Sequence, residues 1–269
     1  MIKIGTQSCG FTHSTSTTLY KIPQNIIWAH NQILPTTVWF DNGIRNGIYQ
    51  NCETKIAWLL ESNCIIPDAV DFVKNNVNLV SKSYKFILTH NQEIADLAPN
   101  FHHIYPHGFW ILEPKIYPKS KLVSIISSNK NFTEGHRKRL EFVEKFKNKA
   151  DLYGRGFNDF AKHEDALCDY LFNICIENER IGGYSSEKLF SCFASGTVPI
   201  LYGDPLVGKH FNTDGIIELT DDFDINSLTL DLYWSKIDAI KDNLERVKQY
   251  ENIEDILWQK YLRFDHQSV

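Results

Sequence analysis

Residues 176–205, IENERIGGYSSEKLFSCFASGTVPILYGDP, start on the end of an apolar strand that breaks at Glu177-Asn178 and finish on a second strand that stops at Gly203-Asp204-Pro205. Between them, Gly182-Gly183 allow a close turn, Tyr184-Ser185-Ser186 lead into a helix with Leu189, Phe190 and Phe193 toward a core, and Gly196 supplies its stop. Strand, helix and strand in so short a run predict a parallel βαβ unit. Glu187 and Lys188 fall in the helix's first turn. Unpaired backbone N–H groups already concentrate positive charge there, so a cation is disfavoured by about 0.3 kcal/mol or more. Lys188 therefore calls for a compensating anion.

The rest of the chain repeats the pattern. Short apolar runs alternate with helical periodicity: IKIG (2–5), TVWF (37–40), KIAWLLES (55–62), KFILTH (85–90) and HHIYP (102–106), then LVSIISS (122–128), DLYG (151–154), FNICIEN (172–178), VPILYG (198–203) and GIIEL (215–219). Such alternation predicts α/β architecture with parallel sheets. GFWILEPKIYPKSK (108–121) has two prolines and no clean period, and reads as a crossover between two lobes. The expected division is 1–115 and 116–269, the second including a helical tail from Asp224 onward whose last segment, IEDILWQKYLRF, is placed to pack back on the first lobe. Two such lobes are expected to hold ligands at the carboxyl ends of their strands.

Composition narrows the function classes. The 269 residues are 43% hydrophobic, enough for a substantial core, and the net charge of −5 gives no basic excess for a nucleic-acid backbone. Six cysteines, Cys9, Cys52, Cys64, Cys168, Cys175 and Cys192, form no C-x-x-C pair and mostly sit in apolar runs, so a zinc site is not expected. No run of eighteen apolar residues and no signal peptide is visible, which predicts a reduced, cytoplasmic protein without a membrane span. The sequon Asn131-Phe132-Thr133 is then a chance match.

Chemistry-bearing residues gather after strands. The helix EGHRKRLEFVEKFKNK (134–149) follows Ser128-Asn129, and its Arg139, Phe142, Val143 and Phe146 share one face at i, i+3, i+4 and i+7. An inward guanidinium needs an anion: either a structural carboxylate or, with His136 and Arg137 adding charge at the helix start, a phosphate. Glu187 suits a ribose diol and Lys188 a phosphate, or else Glu187 serves the helix dipole and Lys188 is solvated. Asp221-Asp222-Phe223-Asp224 has D-x-D spacing, but it opens a helical tail where acidic caps are expected, so no metal is assigned.

Taken together, Ser128-Asn129, Arg139, Tyr170-Leu171-Phe172, Glu177-Asn178, Tyr184-Ser185-Ser186-Glu187-Lys188, Gly196-Thr197-Val198-Pro199-Ile200 and Gly203-Asp204-Pro205 follow an ordered pattern, continued by Lys209-His210-Phe211-Asn212. Over residues 122–219 the chain resembles the donor-binding half of the α-1,3-fucosyltransferases, glycosyltransferase family 10. The resemblance implies a GT-B fold of two Rossmann-like lobes with a donor cleft between them, the first lobe on the acceptor side. It also implies inverting transfer of a sugar, L-fucose from GDP-fucose, to a hydroxyl of a glycan acceptor, with no metal and no further cofactor. Carried over, Arg139 and Lys188 resemble the pyrophosphate ligands and Glu187 the ribose ligand. By the same resemblance Tyr184 and Asn178 are expected as further donor contacts, with Ser128, Asn129, Glu177 and Ser186 completing the nucleotide-sugar set. The donor's phosphates would supply the anion that Lys188 requires.

Two departures bear on the sugar: Leu171 stands where the family's Tyr-Lys-Phe has lysine, and Ser186 where it has threonine. They leave another donor open, such as UDP-xylose, and also a non-catalytic carbohydrate- or nucleotide-binding protein. In the first half the resemblance is confined to KIAWLLES, whose Glu61 matches a glutamate at the end of an acceptor-side strand. Inverting transfer needs a carboxylate to take the proton of the attacking hydroxyl and cations to stabilise the departing diphosphate. Glu61 is the expected base, with Asp41 and Glu113 as rivals.

Overall fold

The computed structural model describes residues 1–8, 10, 16–18 and 21–263, which fold as two compact α/β units. The first comprises residues 1–107, 182–184 and 252–269, and the second residues 108–181 and 185–251.

Six strands build the first unit: β1 (Ile2–Gln7), β2 (Ile26–His30), β3 (Thr36–Phe40), β4 (Thr54–Leu59), β5 (Phe86–Thr89) and β6 (Phe101–His103). They pair in parallel in the order β2-β1-β3-β4-β5-β6. Helices α1 (Gly43–Gly47), α2 (Pro67–Asn75), α3 (Val77–Ser83) and α4 (Gln92–Ala95) belong to the connections. Both faces of β3 are buried throughout, which explains its unbroken apolar and threonine run. Trp39, Ala57, Leu59, Ile87 and Phe101 of the strands pack with Val70 and Val73 of α2 in one core.

The edge strand β2 is absent from the strands expected above. Its run Ile26-Ile27-Trp28-Ala29 is as apolar as those of the central strands, and Ile27 is exposed while Ile26, Trp28 and Ala29 are buried.

The second unit carries β7 (Lys121–Ile126), β8 (Asp151–Tyr153), β9 (Tyr170–Ile176), β10 (Val198–Tyr202) and β11 (Ile217–Glu218), all parallel in the order β11-β10-β9-β7-β8. With them go α5 (Glu134–Phe146), α6 (His163–Leu167), α7 (Glu187–Ser195), α8 (Leu230–Ser235) and α9 (Ile237–Val247). The inward face expected for the arginine helix is real: Arg139, Phe142, Val143 and Phe146 of α5 are all buried. Leu171 joins the apolar core with Phe172, Ile174 and Ile200, a packing reason for a leucine where the family has lysine. Gly196 ends α7 at φ 68°, its N–H returning to the carbonyls of Cys192 and Phe193, which is the left-handed stop expected of it.

The division expected at residue 115 falls instead at 107/108. The crossover has no period of its own because α6 and α7 supply its partners. Trp110 N–H donates to Ser191 Oγ (2.9 Å), Leu112 N–H to Glu164 Oε1 (2.7 Å), and Lys115 N–H to the carbonyl of Ala194 (2.9 Å). The last tail segment, α10 (Ile253–Leu257) with the turn Trp258–Leu262, groups with the first unit rather than the second. Glu254, fully buried on α10, accepts Ser16 Oγ–H (2.7 Å), Thr17 N–H (2.6 Å) and Trp28 Nε1–H (3.1 Å).

Cys168, Cys175 and Cys192 are buried and Cys52 and Cys64 half-buried, while Cys9 lies outside the described residues, as does Phe264 of the tail. Among the described residues no helix is long and apolar enough to cross a membrane.

Candidate functional site

Both sheets have the same doubly wound order, in which the first strand of each unit lies between the strand that follows it and the third. Chain direction across the sheet therefore reverses beside β1 and β3 in the first unit and beside β7 and β9 in the second. Connections leave such a pair of strands on opposite faces and open a crevice at their carboxyl ends, where ligands of open α/β sheets bind. In the second unit, Ser128 follows β7 and Glu177-Asn178 follow β9. Helices α5 and α7 begin after those same strands.

The first turn of α7 contains its own answer to Lys188. Ser186 caps the helix and also accepts a hydrogen bond from Lys188 Nζ at 2.9 Å. Glu187 Oε1 lies 3.4 Å and Glu177 Oε2 3.7 Å from that nitrogen. Burial alone would lower Lys188, but Glu187 and then Glu177 outweigh it and hold the ammonium above its ordinary value, against the opposing charge of Arg139. The compensating anion is thus supplied first by the protein. Glu177 has no accessible surface and accepts Ser186 N–H at 2.8 Å, so it stands behind Lys188 and secures the start of α7.

Arg139 reaches the same region from α5. It donates from Nη1 to Asn178 Oδ1 (3.2 Å) and from Nη2 to Ser128 Oγ (2.9 Å), joining the ends of β7 and β9. Gly135 permits that closeness, since a Cβ on it would stand 1.5 Å from the carbonyl oxygen of Asn178. His136 does not add the positive charge expected of it. It is buried, and desolvation followed by the charges of Arg139, Lys130 and Lys188 pushes it down to about 4, which leaves a neutral imidazole. Arg137 faces solvent.

The remaining expected residues are distributed differently. Asn129 is exposed; its N–H donates to the carbonyl of Arg155 and its side chain lies against Gly156. Tyr184 is buried and groups with the first unit, its ring edge-on to His90 at 4.8 Å, beside Gly183, whose carbonyl meets His103 Nε2 at 2.9 Å. Glu61 also belongs to the first unit, two residues past β4. Asp41, the residue after β3, is buried with its carboxylate on the backbone of Leu60 and Glu61. Glu113 pairs in solvent with Lys115 at 2.7 Å. In the D-x-D stretch, Asp221 pairs with Lys138 (2.8 Å) and Asp224 caps the turn Ile225–Ser227.

One neighbour of the site carries no signal in the sequence. His163, on the short helix α6, packs against Trp110, with Nδ1 3.1 Å from Ser191 Oγ on α7. Burial, with smaller effects of Glu187 and Lys188, pushes it down to about 4. A depressed histidine adds stability that is complete above its unfolded pKa of about 6.5 and is lost as pH falls toward 4. His163→Gln should therefore flatten the acid side of the stability profile between about pH 6.5 and 4, by roughly 3 kcal/mol in all. Denaturant titrations of both proteins across that window measure it, and parallel profiles would contradict the assignment.

The family model "Glycosyltransferase family 10 (fucosyltransferase) C-term" matches residues 116–260, more than half of the chain. An alpha-(1,3)-fucosyltransferase FucT of Helicobacter pylori is 39% identical over 66 residues, 24% of this chain and 14% of that protein. A putative fucosyltransferase of Acanthamoeba polyphaga mimivirus is 27% identical over 117 residues, 44% of this chain and 17% of that protein. The matched regions thus span less than a fifth of either relative. A crystal structure of an α1,3-fucosyltransferase with GDP superposes with TM-score 0.51 at 15% identity, covering 97% of this chain and 90% of that one. A second α1,3-fucosyltransferase structure gives 0.51 at 17% identity, covering 88% and 81%. The two Rossmann-like units are those of the GT-B fucosyltransferase fold, and the chain belongs to glycosyltransferase family 10.

Proposed function

We propose that this protein is an inverting fucosyltransferase that moves L-fucose from GDP-fucose to a hydroxyl of a glycan acceptor. The observation that carries the reading is the convergence of Arg139, Asn178 and Ser128 with Glu187 and Lys188 at the strand ends of the second unit. Two cations in one largely buried locality form a ready counter-charge for a diphosphate. Glu187, only 14% exposed in its side chain, is a carboxylate of the kind that accepts from a ribose diol. The family name and a GDP-bound protein of the same fold support GDP as the nucleotide.

In the reaction, the acceptor oxygen attacks the anomeric carbon as the bond from that carbon to the β-phosphate oxygen breaks. The hydroxyl proton passes to Glu61, and GDP departs with its new charge beside Arg139 and Lys188. Attack from the face opposite the leaving group inverts the anomeric centre. Arg139 and Lys188 supply the counter-charge, so the reading includes transfer without a divalent metal.

Thermal unfolding with a panel of nucleotides in the presence of a chelator tests this. GDP and GDP-fucose should raise Tm, since a ligand held only by the folded state at about a hundred times its Kd adds roughly 2.7 kcal/mol. Arg139→Ala and Lys188→Ala should each weaken GDP at least about tenfold, equivalent to roughly 1.4 kcal/mol. Stabilisation by UDP in place of GDP would move the donor to another sugar nucleotide, and stabilisation only with added divalent cation would overturn the metal-free part. Nucleotide stabilisation without turnover of any donor would leave a binding protein.

A further inference from the structure

The first unit has a reversal point of its own, beside β1 and β3, and its backbone is unusual there. Ser8, just after β1, has φ 58°, and Asp41, just after β3, has φ 49°. Left-handed backbone at a non-glycine residue is uncommon, and such residues cluster where a site holds the chain in place. Asp41 is tied on every side. Its N–H donates to the carbonyl of Trp58 in β4 (2.9 Å), and its carbonyl accepts Ile44 N–H at the start of α1 (3.1 Å). Its Oδ1 accepts Leu60 N–H (2.8 Å) and Glu61 N–H (3.3 Å). The carboxylate thus grips the two peptides that carry the chain out of β4 to the Glu61 side chain. Gly43 closes the other side, where a Cβ would stand 2.6 Å from Ser8 Oγ.

We infer that Asp41 is a positioning residue for transfer: by accepting the amides of Leu60 and Glu61 from a left-handed backbone, it fixes the strand end that holds the Glu61 carboxylate. The inference rests on the reading of Glu61 as the base. A backbone amide needs only an acceptor oxygen, so an uncharged side chain of the same shape should serve. Burial, against the opposing amides and with the Glu61 charge beside it, pushes the Asp41 carboxyl up to about 7, which agrees with a site that accommodates the neutral form.

Asn and Gly both tolerate φ near 50°, but only Asn brings the acceptor. Asp41→Asn should therefore keep kcat within about threefold. Asp41→Gly should lower kcat at least about tenfold with the KM for GDP-fucose unchanged. In parallel, hydrogen exchange should show the Leu60 and Glu61 amides protected in wild type and Asp41→Asn but open in Asp41→Gly, with Ile56 and Trp58 protected in all three. Full activity and full protection in Asp41→Gly would overturn the inference. So would an Asp41→Asn variant as impaired as Asp41→Gly beside a fully active Glu61→Gln, an outcome that makes Asp41 the proton acceptor. Failure of the base reading shows separately, in Glu61→Gln alone. If the wild-type protein uses no fucose donor, the exchange arm still decides the inference, and unchanged Leu60 and Glu61 amides in Asp41→Gly overturn it.

Discussion

Glu61→Gln is expected to lose transfer by a factor of about 100 to 10,000 while GDP binds as in wild type. The acceptor hydroxyl ionises far above neutral pH and is a poor nucleophile until a base shares its proton in the transition state. Glutamine keeps the length and shape of the side chain and removes the basicity. It also leaves the backbone restraints in place, because Asp41 holds the peptide N–H groups of Leu60 and Glu61, not the Glu61 side chain. The residues proposed to hold the donor, Arg139, Asn178, Glu187 and Lys188, belong to the other unit, so the variant is expected to separate chemistry from binding. The measurements are single-turnover transfer with a fucosyl acceptor and GDP titration by calorimetry on the same preparation. Transfer within about twofold of wild type would remove Glu61 from the role and make Asp41→Asn the decisive variant. Weakened GDP with unchanged turnover at saturation would show Glu61 to be a binding residue instead.

How far the sequence leads depends on how local each feature is. The β9-α7-β10 run is legible because strand period, glycine stop and helix face all lie within thirty-odd residues, and the structure repeats them with Gly196 at positive φ. Arg139 is legible as inward-facing because its register with Phe142, Val143 and Phe146 is a property of one helix. What the sequence hides is pairing across distance. Glu177 reads as one more donor contact, yet its burial and its bond to Ser186 N–H make it the support of Lys188. His136 reads as a charge, but the tertiary environment that neutralises it includes a lysine fifty-two residues away, Lys188. Asp41 and Leu60 are nineteen residues apart and joined only because β3 and β4 are neighbours in register. The same holds for the tail, whose attachment to the first unit depends on Glu254 meeting Ser16, Thr17 and Trp28.

Glu177→Ala is expected to destabilise the second unit by about 3 kcal/mol and to weaken GDP as well. Removing one member of a buried ion pair leaves the other partly uncompensated, which typically costs roughly 3–5 kcal/mol. The lower end applies because Lys188 keeps Glu187 at 3.4 Å and retains 14% exposure of its own side chain. The substitution also strips Ser186 N–H of its acceptor at the first turn of α7. Glu177→Gln divides these effects: the amide oxygen still accepts Ser186 N–H, so what it loses is the charge facing Lys188. It should therefore cost less than alanine in stability. GDP affinity should drop in both variants, because Lys188 then turns toward Glu187, its one remaining carboxylate partner of the two, and that carboxylate is the one proposed for the ribose. Denaturant unfolding with hydrogen exchange over β9 and α7 measures the first effect, and GDP titration the second. If both variants unfold like wild type, Glu187 alone compensates Lys188 and the buried carboxylate is dispensable. If stability falls and GDP affinity holds, Glu177 supports the fold without shaping the phosphate site.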